Sequence, residues 1–461
     1  MGAGAAWTNT PHAARRRPAS VARGKGDLTV NPTDLLRGIC FKNGPPTRVG
    51  VELEWQLHDL RDPASAIGEE RRTAAAADVT KLPLRSAVTH EPGGQMELSS
   101  PPLPSLTACL AAVRGDVALV RGALDHHGLG LAGHGLDPWH EPRRVLTARR
   151  YRAMETYFDR WGHHGRLMMC STASVQVCVD SGEEVAGPGG RRHRWELAHL
   201  LGPVLVAAFA NSPLRDGRPT GWKSTRQHIW ASLDPGRSLA PPGLEDPFTA
   251  WVTYVLDAPV LCVRSTEGPW HVPEGLTFRD WIAGHGPRPA TESDLAYHLT
   301  TLFPPVRPRG HLELRMIDAQ PGEGWIVPLA LTCAVFDDPE VSERLHRVLA
   351  PLTGHLGQAG LPGTPGGPRG SGNGAFGHPA HGDRAPRHPM WRSAARYGLA
   401  VPALREAAAA CFTAALTVLS RTGADPVAQT AVADFMDRYV SRGRCPADDL
   451  LDSPTAKGAY A

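Results

Sequence analysis

The sequence predicts an α+β protein, on two kinds of periodicity. Four short segments, 48–55, 96–99, 172–179 and 311–316, alternate apolar and polar residues with period two. Seven longer ones, 106–127, 149–161, 195–211, 246–256, 328–349, 401–421 and 426–442, carry the helical period. Each strand-like segment keeps one polar face. That fits an antiparallel sheet with a face left for a site better than a parallel sheet buried on both sides.

Taken in order, residues 1–30 read as a disordered basic tail. Arg15, Arg16, Arg17, Arg23 and Lys25 fall within the first 26 residues, with no acid among them. No apolar stretch follows these arginines, so the tail does not read as a secretory signal. The remaining 435 residues carry a net charge of −2 against +3 for the whole 461-residue chain. A nearly neutral body lacks the positive field of a nucleic-acid binder.

The first strand, Arg48-Val-Gly-Val-Glu-Leu-Glu-Trp, sets Glu52 and Glu54 on one face. Paired carboxylates repel, and hard oxygen donors at that spacing suit Mg²⁺ or Mn²⁺; a solvated edge strand with alternating charge would carry the same pair. Thr89-His-Glu91-Pro-Gly-Gly-Gln-Met-Glu97 adds two acids around a tight Pro-Gly-Gly turn that brings backbone close to a ligand, or forms an ordinary hairpin. In 172–179, Thr172, Ser174, Gln176 and Cys178 share a face that presents neutral hydrogen-bonding groups to a substrate or to a loop.

Residues 211–230 read as a Pro/Gly-rich loop that delivers Lys223, Arg226 and His228 close together, where an Arg fork matches a carboxylate or phosphate; a solvated basic loop is the alternative. His311, Glu313 and Arg315 then share a strand face, as a site or as a simple ion pair. Five carboxylates with guanidiniums and neutral donors suit cation-assisted phosphoryl transfer.

Segment 354–389, in which 17 of 36 residues are Gly or Pro, reads as a flexible loop. Its GGPRGSGNG lacks the Gly-Lys-Ser/Thr ending of a phosphate loop. The expected layout is one catalytic body over 31–445 and a C-terminal tail from 446 to 461. The most apolar run, 327–336, is far shorter than the roughly 18 residues that cross a bilayer, so no membrane partner is expected. Eight cysteines without a Cys-x-x-Cys pair read as thiols of a reducing compartment, and the expected location is the cytoplasm.

In order along the chain, these segments resemble the plant-type glutamate-cysteine ligase family, which many bacteria share. The resemblance rests on Val49–Glu54, Glu91–Ser99, Met168–Val177, Phe209–Pro213, Arg226–Trp230, His298–Arg307 and Leu312–Arg315, and covers about residues 30–440. It implies a glutamine-synthetase-like core, a curved antiparallel sheet forming a funnel enclosed by helices. It also implies that the γ-carboxylate of glutamate attacks the γ-phosphate of ATP and that the cysteine amine then displaces phosphate.

Carried onto this chain, Glu52, Glu54, Glu91, Glu97 and Glu313 hold Mg²⁺ or Mn²⁺. Thr172, Ser174, Gln176, Arg226 and His228 bind substrate, Lys223 and Arg315 bind nucleotide, and Arg226 and Arg315 act in catalysis. The implied partners are glutamate, cysteine and ATP, with no nucleic acid, in a monomer or weak dimer. Two positions depart from the pattern. Trp55 stands where the plant-type family has Lys, which is expected to alter contacts at the site mouth, and Cys178 stands where Asn is common. The Ala, Arg and Gly richness resembles actinobacterial ligases that supply γ-glutamylcysteine for ergothioneine. A ligase using another amine, a silent binding module and a metal-dependent hydrolase are the competing readings.

Overall fold

The computed structural model describes residues 31–41, 48–241, 246–270, 272–354 and 388–453. The expected N-terminal tail lies outside these residues, as do 454–461 and all but the ends of segment 354–389.

Nine strands are present among the described residues: β1 (Val49–Asp59), β2 (Ala87–His90), β3 (Met96–Ser99), β4 (Leu129–Ala132), β5 (Ser174–Val179), β6 (Leu214–Arg215), β7 (Arg218–Pro219), β8 (Val306–Pro308) and β9 (Leu312–Asp318). Seven form one antiparallel sheet in the order β2-β3-β1-β5-β9-β8, with β4 pairing the far half of β1, while β6 and β7 make a separate hairpin. The predicted α+β class holds.

Alternation decides the two faces of the sheet. Val49, Val51, Leu53 and Trp55 of β1, Met96 and Leu98 of β3, and Val175, Val177 and Val179 of β5 all enter the main hydrophobic core. The helices Leu106–Asp125, Arg191–Ala208 and Ile326–Asp337 cover that face, and Pro402–Arg421 packs behind the last two. Trp55 is therefore a core residue and not part of the site mouth, because its odd position in β1 points it away from Glu52 and Glu54.

A register shift between Val175 and Val177 bulges β9. Met316 and Ile317 both enter the core, and Asp318, paired with Ser174, joins Glu313 and Arg315 on the polar face despite its even number. A smaller cluster, including Met154, Phe158, Leu167, Met169, Ile229 and Leu261, holds helices Arg149–Phe158, His164–Ser171 and Thr225–Ala231 together.

Two expectations need correction. The helix expected over 328–349 is two, Ile326–Asp337 and Pro339–Gly354: Pro339 has no N–H to continue the first, and the Asp338 side chain accepts from Val341 N at 2.9 Å to start the second. The 446–461 tail begins with a helix, Pro446–Asp452, whose Ala447 is fully buried and whose Asp448 pairs with Lys223. Helix Pro402–Arg421 is long and apolar enough to span a bilayer by composition, yet half of that stretch is buried inside the protein. All eight cysteines are buried free thiols.

Candidate active site

The polar face of the sheet floors a cavity of about 200 Å³. Glu52, Glu54, Glu97, Ser174, Gln176, Arg307 and Arg315 line it from the strands, and Glu91 and Gln95 from the turn between β2 and β3. Arg150, Tyr151, Met154, Met168, Met169, Arg226, Trp230 and Tyr297 line it from the helices around it.

Register brings the acids together. Glu54 lies opposite Glu97 across β1 and β3, and the turn returns Glu91 to the same end. Gly93 makes this possible: a Cβ there would stand 2.2 Å from the Cys170 carbonyl oxygen, so only glycine lets the turn lie against the end of helix His164–Ser171. Glu54, Glu91 and Glu97 each offer an oxygen, all within 4.8 Å of one another. Hard oxygen donors so clustered fit Mg²⁺ or Mn²⁺ in kind.

The trio is held from below. Glu54 accepts from Ser174 Oγ at 2.9 Å and from Gln176 Nε2 at 2.6 Å. Glu97 accepts from Thr89 Oγ1 at 2.8 Å and from Ser99 Oγ at 3.0 Å. Burial and the neighbouring Glu97 and Glu54 push the Glu91 carboxyl up to about 8. Glu97 is raised by burial and by Glu54, against the lowering effect of its two hydroxyl donors.

The other two acids behave differently. Glu313 lies opposite Arg307 across β8 and β9 and takes its fork at 2.8 and 3.1 Å, and Arg315 also donates to it. Burial opposes its ionisation, but Arg307 and Arg315 hold its carboxyl well below the usual carboxylate range. Glu52 is buried between the two groups and is raised by burial, Glu313 and Glu97. The five expected ligands thus divide into a trio, an acid committed to arginines, and one between them.

Arg226 reaches the cavity from helix Thr225–Ala231, and Trp230, one turn on, lines the same cavity. Its Nη2 donates to the Arg315 carbonyl at 2.8 Å, Nη1 stands 3.7 Å from Asp318, and Nε meets no acceptor among the described residues. A buried guanidinium with donors to spare is a ready seat for an anion. Asp318 is held by Ser212 Oγ at 2.7 Å, Ser224 Oγ at 2.9 Å and Asn211 N at 2.9 Å. Arg315 bridges Gln176 and Glu313.

Thr172 lines the cavity, although its hydroxyl donates to Met168 O at 2.6 Å. Two expected members lie elsewhere. His228 is two residues from Arg226 on a helix, about 200° around it, and stacks on Trp222 with ring centroids 4.3 Å apart. Lys223 precedes the helix and pairs with Asp448. Neither lines the cavity.

Sequence reasoning missed Arg150, Tyr151 and Tyr297, and left Gln95, Trp230 and Arg307 without roles. Arg307 had a readable signal: the turn at Arg309-Gly310, with Gly310 at φ 79°, closes a hairpin that sets Arg307 against Glu313. Arg150, which donates to Thr300 Oγ1 at 2.8 Å and to its carbonyl at 2.7 Å, reaches the site only through tertiary packing.

Acids on a sheet floor are thus flanked by guanidiniums and closed in by aromatic rings. The chain belongs to glutamate-cysteine ligase family 2, whose description matches residues 48–359, and is a ligase of that family. It is 36% identical over 429 residues to the glutamate–cysteine ligase EgtA of Mycobacterium tuberculosis, covering 91% of this chain and 89% of that protein. The EgtA of Mycolicibacterium smegmatis is also 36% identical, over 428 residues, covering 91% and 90%. The chloroplastic glutamate–cysteine ligase of Medicago truncatula is 36% identical over 246 residues, about half of each chain at 51% and 47%. Among solved structures, a glutamate–cysteine ligase of Francisella tularensis superposes with a TM-score of 0.45 at 12% identity, covering 91% of this chain and 85% of that one.

Proposed function

We propose that this chain joins the γ-carboxylate of glutamate to the amine of cysteine, using ATP through a γ-glutamyl phosphate, and releases γ-glutamylcysteine, ADP and phosphate. The observation that carries this reading is the Glu54–Glu91–Glu97 trio beside Arg226 and Arg315 in one cavity. Acids and guanidiniums a few ångströms apart suit a reaction that brings a carboxylate and a polyphosphate together.

Glu54, Glu91 and Glu97 are the residues that would hold Mg²⁺ or Mn²⁺, with Glu52 behind them. A divalent cation there supplies charge neutralisation for the phosphates. Arg226 presents its spare donors to the glutamate carboxylate, and a fork fixes that group in direction as well as position. Arg315, fixed by Glu313 and Gln176, faces the phosphate as negative charge moves toward the leaving ADP. Glu313 keeps Arg315 in place and is not itself a cation ligand in this reading. Ser174 and Gln176 orient Glu54, while Thr172 completes the cavity wall. Tyr151, Tyr297 and Trp230 shield the acyl phosphate from water, which would otherwise hydrolyse it.

The product is proposed to feed ergothioneine synthesis, or glutathione synthesis as the alternative; similarity to the mycobacterial ligases along almost the whole chain supports the former. The test is ADP release by the purified chain with ATP, Mg²⁺, glutamate and a panel of amines, with the product mass recorded. Cysteine-dependent turnover giving γ-glutamylcysteine is the expected result. Turnover with a different amine would replace the acceptor, and no turnover with any amine would overturn the ligase reading.

A further inference from the structure

A second cavity, of about 390 Å³, lies behind helix Arg149–Phe158. The helix divides its side chains between the two cavities. Arg150, Tyr151 and Met154 face the reaction cavity, whereas Arg149, Arg152, Ala153 and Thr156, at helical spacing, line the second one, as does Arg160 just beyond the helix. No carboxylate is among the residues that line it, and among the described residues none of the three arginines has an ion pair.

The remaining wall is flat and apolar. Trp270 stands with Leu261, Pro269 and Val272, and with Tyr157, over whose ring the Arg160 guanidinium lies at 5.5 Å. The indole is fixed: its N–H donates to Ser265 O at 2.9 Å, and its ring meets Tyr297 edge to face at 5.9 Å. Arg149 ties the helix to the same loop through Ser265 O at 3.1 Å and Thr266 O at 2.8 Å.

Three guanidiniums without counter-charges call for a multivalent anion, and a held indole among apolar groups calls for a flat ring on the same ligand. The volume lies within the range of small-molecule sites. We propose that this cavity binds an organic di- or triphosphate, phosphates on Arg149, Arg152 and Arg160 and ring on Trp270, at a site separate from the reaction cavity.

The test is equilibrium binding of ADP and of pyrophosphate to the full chain in excess chelator, which silences any cation-dependent site on the carboxylates. ADP is expected to bind more tightly than pyrophosphate. The paired change Arg152→Ala and Arg160→Ala should weaken both ligands on the order of tenfold or more. Trp270→Ala should weaken ADP alone, and Trp270→Phe should restore it. All three positions lie at the protein surface or half-buried, so the variants are expected to fold. The ATP KM of turnover should stay within about twofold in the arginine variant, since the reacting phosphates bind elsewhere. Absence of ADP binding under chelation, or binding indifferent to the arginine changes, would overturn the site. A raised ATP KM in the arginine variant would overturn its separateness. Failure of amine-dependent ADP release would instead strike the ligase reading and leave this binding untouched.

Discussion

Replacing Glu54 by Gln is expected to move stability and catalysis in opposite directions. Glu54, Glu91 and Glu97 bring their oxygens within 4.8 Å of one another. Two full charges at that separation repel by about 3.5 kcal/mol at an effective dielectric constant of 20. Glu91 and Glu97 both resist ionisation, Glu91 up to about 8, so only part of that repulsion is present at neutral pH. Roughly 1–2 kcal/mol is left for the substitution to relieve. The amide keeps the local shape: its oxygen can accept from Gln176, and its NH₂ can donate to Ser174, whose hydroxyl turns from donor to acceptor. In chelator, the melting temperature of Glu54→Gln should equal or exceed that of the parent by about 1–3 °C. With Mg²⁺ added, the protection gained should shrink, because the variant offers the cation one charge fewer. Turnover should fall on the order of 100-fold. A variant that melts several degrees lower in chelator and keeps full turnover would refute both the crowding of the acids and their role.

Other perturbations probe other links. Arg226→Lys should raise the glutamate KM about tenfold, since a point charge cannot replace a fork; an unchanged KM would remove Arg226 from glutamate binding. Gly93→Ala puts a methyl 2.2 Å from the Cys170 carbonyl oxygen and 2.6 Å from its Cα, both backbone atoms. The expected cost is about 1–3 kcal/mol by urea unfolding, with a higher cation requirement as the Glu91 turn shifts; unchanged values of both would contradict the close approach. His298 is buried and donates to Val255 O at 2.9 Å, and burial, helped by Arg237, lowers its pKa from 6.5 to about 3. The unfolded chain therefore takes up a proton that the folded one refuses. Stability from this group is fully present above about pH 6.5 and declines toward pH 3 by up to roughly 1.4 kcal/mol per pH unit. His298→Gln should flatten the acid limb of stability measured between pH 4 and 7, and an unchanged limb would contradict it.

Local periodicity made much of this site readable. Glu52 and Glu54 share a face because strands repeat every two residues, and Ser174 and Gln176 stand beside Glu54 for the same reason. The Pro-Gly-Gly turn marked the return of Glu91 toward Glu97. What escaped depended on pairing and on element type. Glu313 resembled the other acids until the β8–β9 register gave it Arg307. Lys223, Arg226 and His228 were expected together on a loop, but Ser224 caps a helix, accepting from Gln227 N, and the turn sends the three side chains apart. The β9 bulge that brings Asp318 to the polar face leaves no mark in an alternating pattern, since it depends on the strand beside it. Arg150 and Tyr297 come from helices whose apolar stripes showed their buried sides and not which charged or aromatic neighbour meets the cavity.

The acyl-phosphate route is tested most directly by turnover of glutamate labelled with ¹⁸O in its γ-carboxylate. On that route one γ-oxygen would attack the γ-phosphate and leave with it when the amine displaces phosphate, so each turnover with fully labelled substrate should place one ¹⁸O in the released inorganic phosphate. Phosphate that carries no label, at measured rates of peptide formation, would contradict activation of glutamate by phosphoryl transfer at this site.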